Sequence, residues 1–269
     1  MSAIHGLLVI CDQWISGMKV KSRNGMIASC SRCVMKIKHL ENVSLIDFPG
    51  RVACTLFIFG CNFRCGFCHN PGLVVKEESK SLSSEGVLDF LRSRRGVLDG
   101  VCITGGEPLA TLDVDFVRAI KELGFEVKID TNGSFPDKLK VLIRERLVDY
   151  VAMDVKTARA DYASLVGSVD LEKLEATMRL MVLVPEFEFR TTVVPGVHSV
   201  VSMREMVAWV KSVTGLQKLP RFSVQGFVPR PGRMVAASFD SIPAARASWV
   251  ESLAVPMVEC SNVCDIKVA

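Results

Sequence analysis

The sequence predicts an α/β fold, a partial (β/α)6 barrel of parallel strands. Six short, apolar, β-branched runs alternate with six longer segments of helical periodicity. The links between them are short, which makes the strands parallel neighbours joined by right-handed crossovers. Residues 51–269 also fall short of the about 250 residues that a closed eight-unit barrel usually takes.

The first strand, 51–59, is almost wholly apolar, as a strand buried on both faces must be. Helix 84–95 carries Val87, Leu88 and Leu91 on one stripe. After strand 100–104, helix 112–123 brings Val114, Phe116, Val117 and Ile120 inward and stops at Gly124. After strand 125–130, helix 136–147 opens on Pro136, suited to a first turn, and carries Leu139, Leu142 and Ile143. Strand 150–154, helix 170–183, strand 187–193, helix 201–213, strand 221–227 and helix 243–253 complete the set.

The chain has 269 residues, 49% of them hydrophobic and 23% charged, with a mean hydropathy of +0.31. That excludes a disordered, collagen-like or low-complexity protein. The net charge of +4 is concentrated at one end. Residues 1–34 hold Lys19, Lys21, Arg23 and Arg32 against Asp12, so the remainder is nearly neutral. A nucleic-acid footprint needs a clustered basic excess, and none is present. No apolar run near the N-terminus is long enough for a membrane span or carries the flanks of a targeting signal. A cytoplasmic protein with no membrane or nucleic-acid partner is expected. Residues 1–34 lack amphipathic periodicity and read as an N-terminal extension, disordered or the product of a wrongly assigned start. The working domain is 35–269.

Ten cysteines are too many for inert packing and too few for a disulfide scaffold. Three stand directly after the first strand: Cys61, Cys65 and Cys68, in a loop of small and polar residues that ends Cys68-His69-Asn70-Pro71. Thiolates at that spacing can converge on one metal centre. Buried core thiols, or structural zinc with His69 as a fourth ligand, are the other readings of the same residues. Further polar motifs end later strands: Thr104-Gly105-Gly106-Glu107-Pro108, Asp130-Thr131-Asn132-Gly133 and Met153-Asp154-Val155-Lys156. Active sites of parallel barrels lie at those strand ends.

The cysteine motif, with Phe67 before its last Cys, resembles that of the radical S-adenosylmethionine superfamily. Val43–Gly50, the Cys-His-Asn run and the Asp130 and Asp154 motifs resemble one branch, the activating enzymes of anaerobic ribonucleoside-triphosphate reductase and pyruvate formate-lyase. The similarity covers about residues 36–269. It implies a [4Fe–4S] cluster on Cys61, Cys65 and Cys68, with S-adenosylmethionine on the open iron. Reductive cleavage to a 5′-deoxyadenosyl radical would follow, and no side chain would be needed as general acid or base. Cofactor contacts implied by the resemblance are Phe67, Gly105, Gly106, Glu107, Asp130, Thr131, Asn132, Asp154, Lys156 and Arg190. A monovalent cation beside Asp130 and Thr131 is implied as well. The partners implied are a glycyl-radical enzyme, such as anaerobic ribonucleotide reductase, and a flavodoxin- or ferredoxin-type electron donor. A radical enzyme acting on a small molecule, of the deazaguanine-synthase kind, or on another macromolecule is the alternative. A zinc-binding interaction module is a third.

Two features depart from the branch. Gln225–Pro229 lacks the histidine that related activators often carry by the last strand, and no further cysteines lie between Cys68 and Cys102, so one cluster is expected. Cys54 and Cys102 fall inside strands and should be core. Cys30 and Cys33 could form a second metal site with Cys260 and Cys264 if the termini meet.

Overall fold

The structure, a computed structural model, describes residues 35–74, 80–230 and 235–268. Cys11, Cys30, Cys33 and the rest of the expected extension lie outside the described residues, and with them the test of a second metal site. Among the described residues, eight strands form one sheet in sequence order. Strand β1 (Ile37–Ser44) runs antiparallel to β2 (Ala53–Ile58). Then β3 (Gly100–Gly105), β4 (Glu126–Thr131), β5 (Tyr150–Asp154), β6 (Glu186–Val193), β7 (Leu219–Gly226) and β8 (Ser261–Lys267) each pair in parallel with the strand before. The helices are α1 (Ser84–Ser93), α2 (Val114–Glu122), α3 (Pro136–Arg144), α4 (Tyr162–Val166), α5 (Leu171–Met181), α6 (Val200–Thr214) and α7 (Ala247–Cys260).

All six expected strands and all six expected helices are present. The sheet carries two strands more, one at each edge, and α4 is an added turn of helix. Helix α7 also outruns its expected end at 253, continuing through the buried Pro256. It ends where the Ser261 hydroxyl donates to the Met257 carbonyl at 2.5 Å, and the chain turns directly into β8.

The core lies between the sheet and its helices. In β2, Ala53, Cys54, Leu56 and Ile58 have no solvent exposure, which is why that strand is so apolar. Cys102 is equally buried, so both strand cysteines are core. Each helix turns its predicted stripe inward; Val87, Leu88 and Leu91 of α1 are an example.

The end of the barrel where the strands begin is closed by side chains. Arg51 donates to Glu126 at the start of β4 (2.8 Å) and to Glu186 at the start of β6. Its guanidinium also lies 5.2 Å from the centre of the Phe48 ring. Phe48 is fully buried, edge-on to Tyr150 at 5.8 Å. Removing such a ring leaves a cavity that the rigid strand starts cannot fill. Phe48→Ala should therefore lower the unfolding free energy by about 3–5 kcal/mol, read from urea denaturation, with the loops at the opposite end unaffected.

Candidate active site

The functional side chains gather at the carboxyl ends of β2 to β6. The loop after β2 carries the thiols, and two backbone contacts lock it to the end of β3. Gly106 N–H donates to the Ile58 carbonyl (2.9 Å) and Glu107 N–H to the Gly60 carbonyl (2.7 Å). Only glycine permits this approach. A Cβ on Gly106 would lie 2.2 Å from the Gly60 carbonyl oxygen, and one on Gly105, at φ +130°, 2.3 Å from that of Ile58. On its other side the loop is held by Arg64 N–H on the Val166 carbonyl (2.9 Å). Phe63 packs edge-on to Tyr162, with ring centres 6.3 Å apart.

Glu107 is fully buried. Its carboxylate accepts from Leu109 N–H (3.1 Å), the Thr131 hydroxyl (2.8 Å) and Asn132 N–H (2.6 Å). Burial nonetheless pushes its pKa up to about 7. Asn132 reaches back to the thiol loop, donating from Nδ2 to Asn62 Oδ1 at 2.9 Å and lying 3.8 Å from Cys61 Sγ.

A chain of charges, buried at Lys128 and half-buried beyond it, completes the site. Lys128 pairs with Asp130 Oδ1. Asp130 Oδ2 accepts from Arg190 Nη1 (3.1 Å), Arg190 Nε donates to Asp154 Oδ1 (3.1 Å), and Asp154 Oδ2 accepts from Lys156 Nζ (2.9 Å). Sheet register makes this chain possible, because Asp154 and Arg190 are direct partners across β5 and β6. Burial alone would raise the Asp154 pKa, but Arg190 and Lys156 hold it at about 2. Burial also works against the Lys156 ammonium, and Asp154 overcomes it, so that its pKa is raised. The Lys156 backbone is clamped on both sides: its N–H donates to the Tyr162 hydroxyl (3.0 Å), and its carbonyl bonds His198 Nε2 (2.9 Å).

These groups surround one cavity of about 200 Å³. Cys61, Cys65 and Cys68 all line it, with eight of the ten expected cofactor positions: Phe67, Gly105, Gly106, Asp130, Thr131, Asn132, Asp154 and Lys156. Glu107 and Arg190 stand behind that wall, joined to it through Thr131 and Asn132 and through the two aspartates. The sequence reading did not single out Thr192, which lines the cavity, or Lys128, which anchors the ion chain. Lys128 and Asp130, two apart in a strand otherwise built of Val127 and Ile129, share a face, and that spacing was the available signal. The segment 225–229 lacks the histidine that related activators often carry, and a different histidine lies against it. The His69 ring stacks on Phe227, just past β7, at 5.8 Å, and its buried Nε2 has no hydrogen-bond partner.

The thiols fit an iron–sulfur cluster. Cys61, Cys65 and Cys68 line one cavity, and thiolates are the usual ligands of such clusters, each on its own iron. Burial, with Glu107 nearby, pushes the Cys61 pKa up to about 12, and burial pushes Cys65 up to about 11. Iron would displace those protons on binding. S-Adenosylmethionine fits as well: Lys156, on the cavity wall, suits a carboxylate, and Glu107, behind Thr131 and Asn132, adds negative character on the side toward an ammonium.

A half-open parallel barrel whose mouth combines three thiols with opposed charges for a zwitterion defines a cluster- and cofactor-dependent enzyme. The sequence profile of the Radical SAM superfamily matches residues 55–206. A protein assigned as a glycyl-radical enzyme activating enzyme in Methanocaldococcus jannaschii is 31% identical over 205 residues, covering 72% of this chain and 80% of its own. The pyruvate formate-lyase-activating enzyme of Streptococcus mutans is 26% identical over 210 residues, covering 71% and 79%. Among solved structures, SuiB of Streptococcus suis superposes with a TM-score of 0.58 at 17% identity, over 77% of this chain and 46% of its own. Methylornithine synthase does so with a TM-score of 0.54 at 17%, over 78% and 63%. At those identities the two structures share the fold. The chain belongs to the radical SAM superfamily, in its activating-enzyme branch, and membership implies a [4Fe–4S] cluster and S-adenosylmethionine. No helix among the described residues is long and apolar enough to cross a membrane.

The Glu107 shift has a direction that can be tested. Its pKa is raised from an ordinary 4.5 to about 7, so its carboxyl costs the fold nothing below pH 4.5 and progressively more as pH rises through 7. Glu107→Gln removes that dependence. The stability of the variant relative to the natural chain should rise by about 3 kcal/mol between pH 4 and pH 8, on top of any pH-independent offset. Urea denaturation across that range checks it, and parallel profiles for the two chains would refute the buried-carboxyl assignment.

Proposed function

We propose that this chain activates a glycyl-radical enzyme, taking a hydrogen atom from the Cα of a glycine on its partner. The observation that carries this reading is the convergence of three thiols, a buried glutamate and a lysine–arginine–aspartate chain on one cavity in a chain of this branch. The names of the two relatives reported above support the class of partner, and the Cys-His-Asn run and the Val43–Gly50 segment are similar to those of the activators of anaerobic ribonucleoside-triphosphate reductase and of pyruvate formate-lyase; the reductase is the partner proposed. A flavodoxin or ferredoxin would deliver the electron.

In this reading Cys61, Cys65 and Cys68 hold a [4Fe–4S] cluster, leaving one iron for S-adenosylmethionine. When bound, the pair supplies one-electron reductive cleavage of the sulfonium and, from it, the power to abstract hydrogen. The protein's own residues orient and enclose. Glu107, behind the cavity wall, would hold Thr131 and Asn132 in place and favour the cofactor's ammonium by its negative character. Lys156, with Arg190 behind it, receives the carboxylate, and Asp154 keeps both side chains in place. Phe63 and Phe67 form the apolar wall of the cavity, which limits water near a reactive centre.

Anaerobic reconstitution tests the reading. The natural chain with dithionite should cleave S-adenosylmethionine, and any one of Cys61→Ala, Cys65→Ala or Cys68→Ala should abolish both the iron–sulfur absorbance and the cleavage. Mixed with candidate glycyl-radical enzymes, the reduced chain should give the glycyl doublet in electron paramagnetic resonance. Cleavage with no doublet on any candidate would overturn the partner and leave a radical enzyme with another substrate. Lys156→Ala should weaken cofactor binding by about tenfold or more, the worth of one buried charged hydrogen bond, as read by equilibrium dialysis.

A further inference from the structure

The resemblance places a monovalent cation beside Asp130 and Thr131, and the residues present do not fit one. A cation site needs several oxygens turned toward a common point and negative charge that no other group has already neutralised. Here every carboxylate oxygen of the two aspartates already meets a side-chain cation. Asp130 Oδ1 has Lys128 and Oδ2 has Arg190; Asp154 Oδ1 has Arg190 and Oδ2 has Lys156. The Thr131 hydroxyl is engaged too, donating to Glu107 (2.8 Å) and accepting from Gly133 N–H (3.0 Å). The chain alternates in sign from Lys128 to Lys156, with Glu188 as a further anion near Arg190, so neither aspartate carries unpaired charge for a mobile ion to offset.

Lys128 is the member that tips the balance. Its side chain is 1% exposed, it has no route to bulk water, and its other neighbours are the Cys102 thiol at 3.7 Å and the Tyr150 ring at 5.8 Å. An ammonium buried this way is stable only beside a carboxylate, so it is a permanent counter-ion to Asp130. With Lys128 removed, Asp130 Oδ1 would lose its partner and be open to an ion.

We infer that the Lys128 ammonium and the Arg190 guanidinium take the place of the monovalent cation, so that this chain orders Asp130 and Asp154, and binds its cofactor, without sodium or potassium. The cofactor part of this inference rests on the proposed function; the ordering of the two aspartates stands without it.

The test compares the full chain in potassium, sodium and choline chloride at equal ionic strength. Thermal unfolding of the natural chain should give one midpoint within about 1 °C in all three. Lys128→Met should melt higher in potassium or sodium than in choline, with saturation at a defined concentration, and Lys128→Arg should behave as the natural chain. After reconstitution, S-adenosylmethionine measured by equilibrium dialysis should bind the natural chain equally, within about twofold, in each salt. A saturable rise of several degrees for the natural chain in millimolar potassium or sodium, or a loss of about tenfold in cofactor affinity in choline, would overturn the inference. A folded Lys128→Met variant indifferent to all three cations would overturn the part given to Lys128. If that variant does not fold, the natural chain's two arms decide. If no cofactor binds in any salt, the proposed function falls and the melting comparison still decides this inference.

Discussion

The site depends on a contact between two pieces of backbone. Where Gly106 and Glu107 hydrogen-bond to the Ile58 and Gly60 carbonyls, the thiol loop and the end of β3 become one rigid body. No residue with a Cβ could stand at either glycine without pushing the two apart. From that point the remaining geometry follows. Glu107 is fixed because its own N–H is fixed, Thr131 and Asn132 are drawn to its carboxylate, and Asn132 returns to the thiol loop through Asn62. Loops from three successive strands are thus tied into a single polar knot around Cys61.

Charge is handled differently on the two sides of the cavity. On the thiol side the groups are kept neutral, since burial holds Cys61 and Cys65 protonated and brings Glu107 close to neutrality. Across the cavity the groups stay ionised because each neighbour is of opposite sign. Both solutions avoid an isolated buried charge, which is the expensive alternative. The thiol side can accept cationic iron by giving up protons.

Much of this was legible in the sequence, for reasons that can be named. Buried parallel strands are continuous apolar runs, so β2 to β7 announce themselves, and the polar residues that interrupt their carboxyl ends mark the site. The edge strands do not announce themselves. β1 and β8 are mostly exposed or half-buried and include charged residues such as Glu41 and Asp265, because one flank of each faces solvent. The last helix runs beyond 253 because packing holds Pro256 inside it, where proline is ordinarily disfavoured. Lys128 was hidden for a different reason: a lysine inside an apolar strand looks like an exposed position until its partner is known, and that partner depends on Arg190, which lies 60 residues beyond Asp130. The stacking of His69 on Phe227 was equally out of reach, since it joins the two ends of the barrel's loop series.

The opposite end of the barrel gives Arg51 a wider meaning. One guanidinium grips the starts of β4 and β6 from its place ahead of β2, and it caps the Phe48 ring besides. The strands are cinched where they begin and spread where they end, so the base acts as a chassis and the mouth as interchangeable tooling. Loops after the strands can lengthen, shorten or change their chemistry without loosening that girdle. A lineage of such proteins can change clients by rewriting its mouth alone, while a substitution at the girdle would affect every version alike.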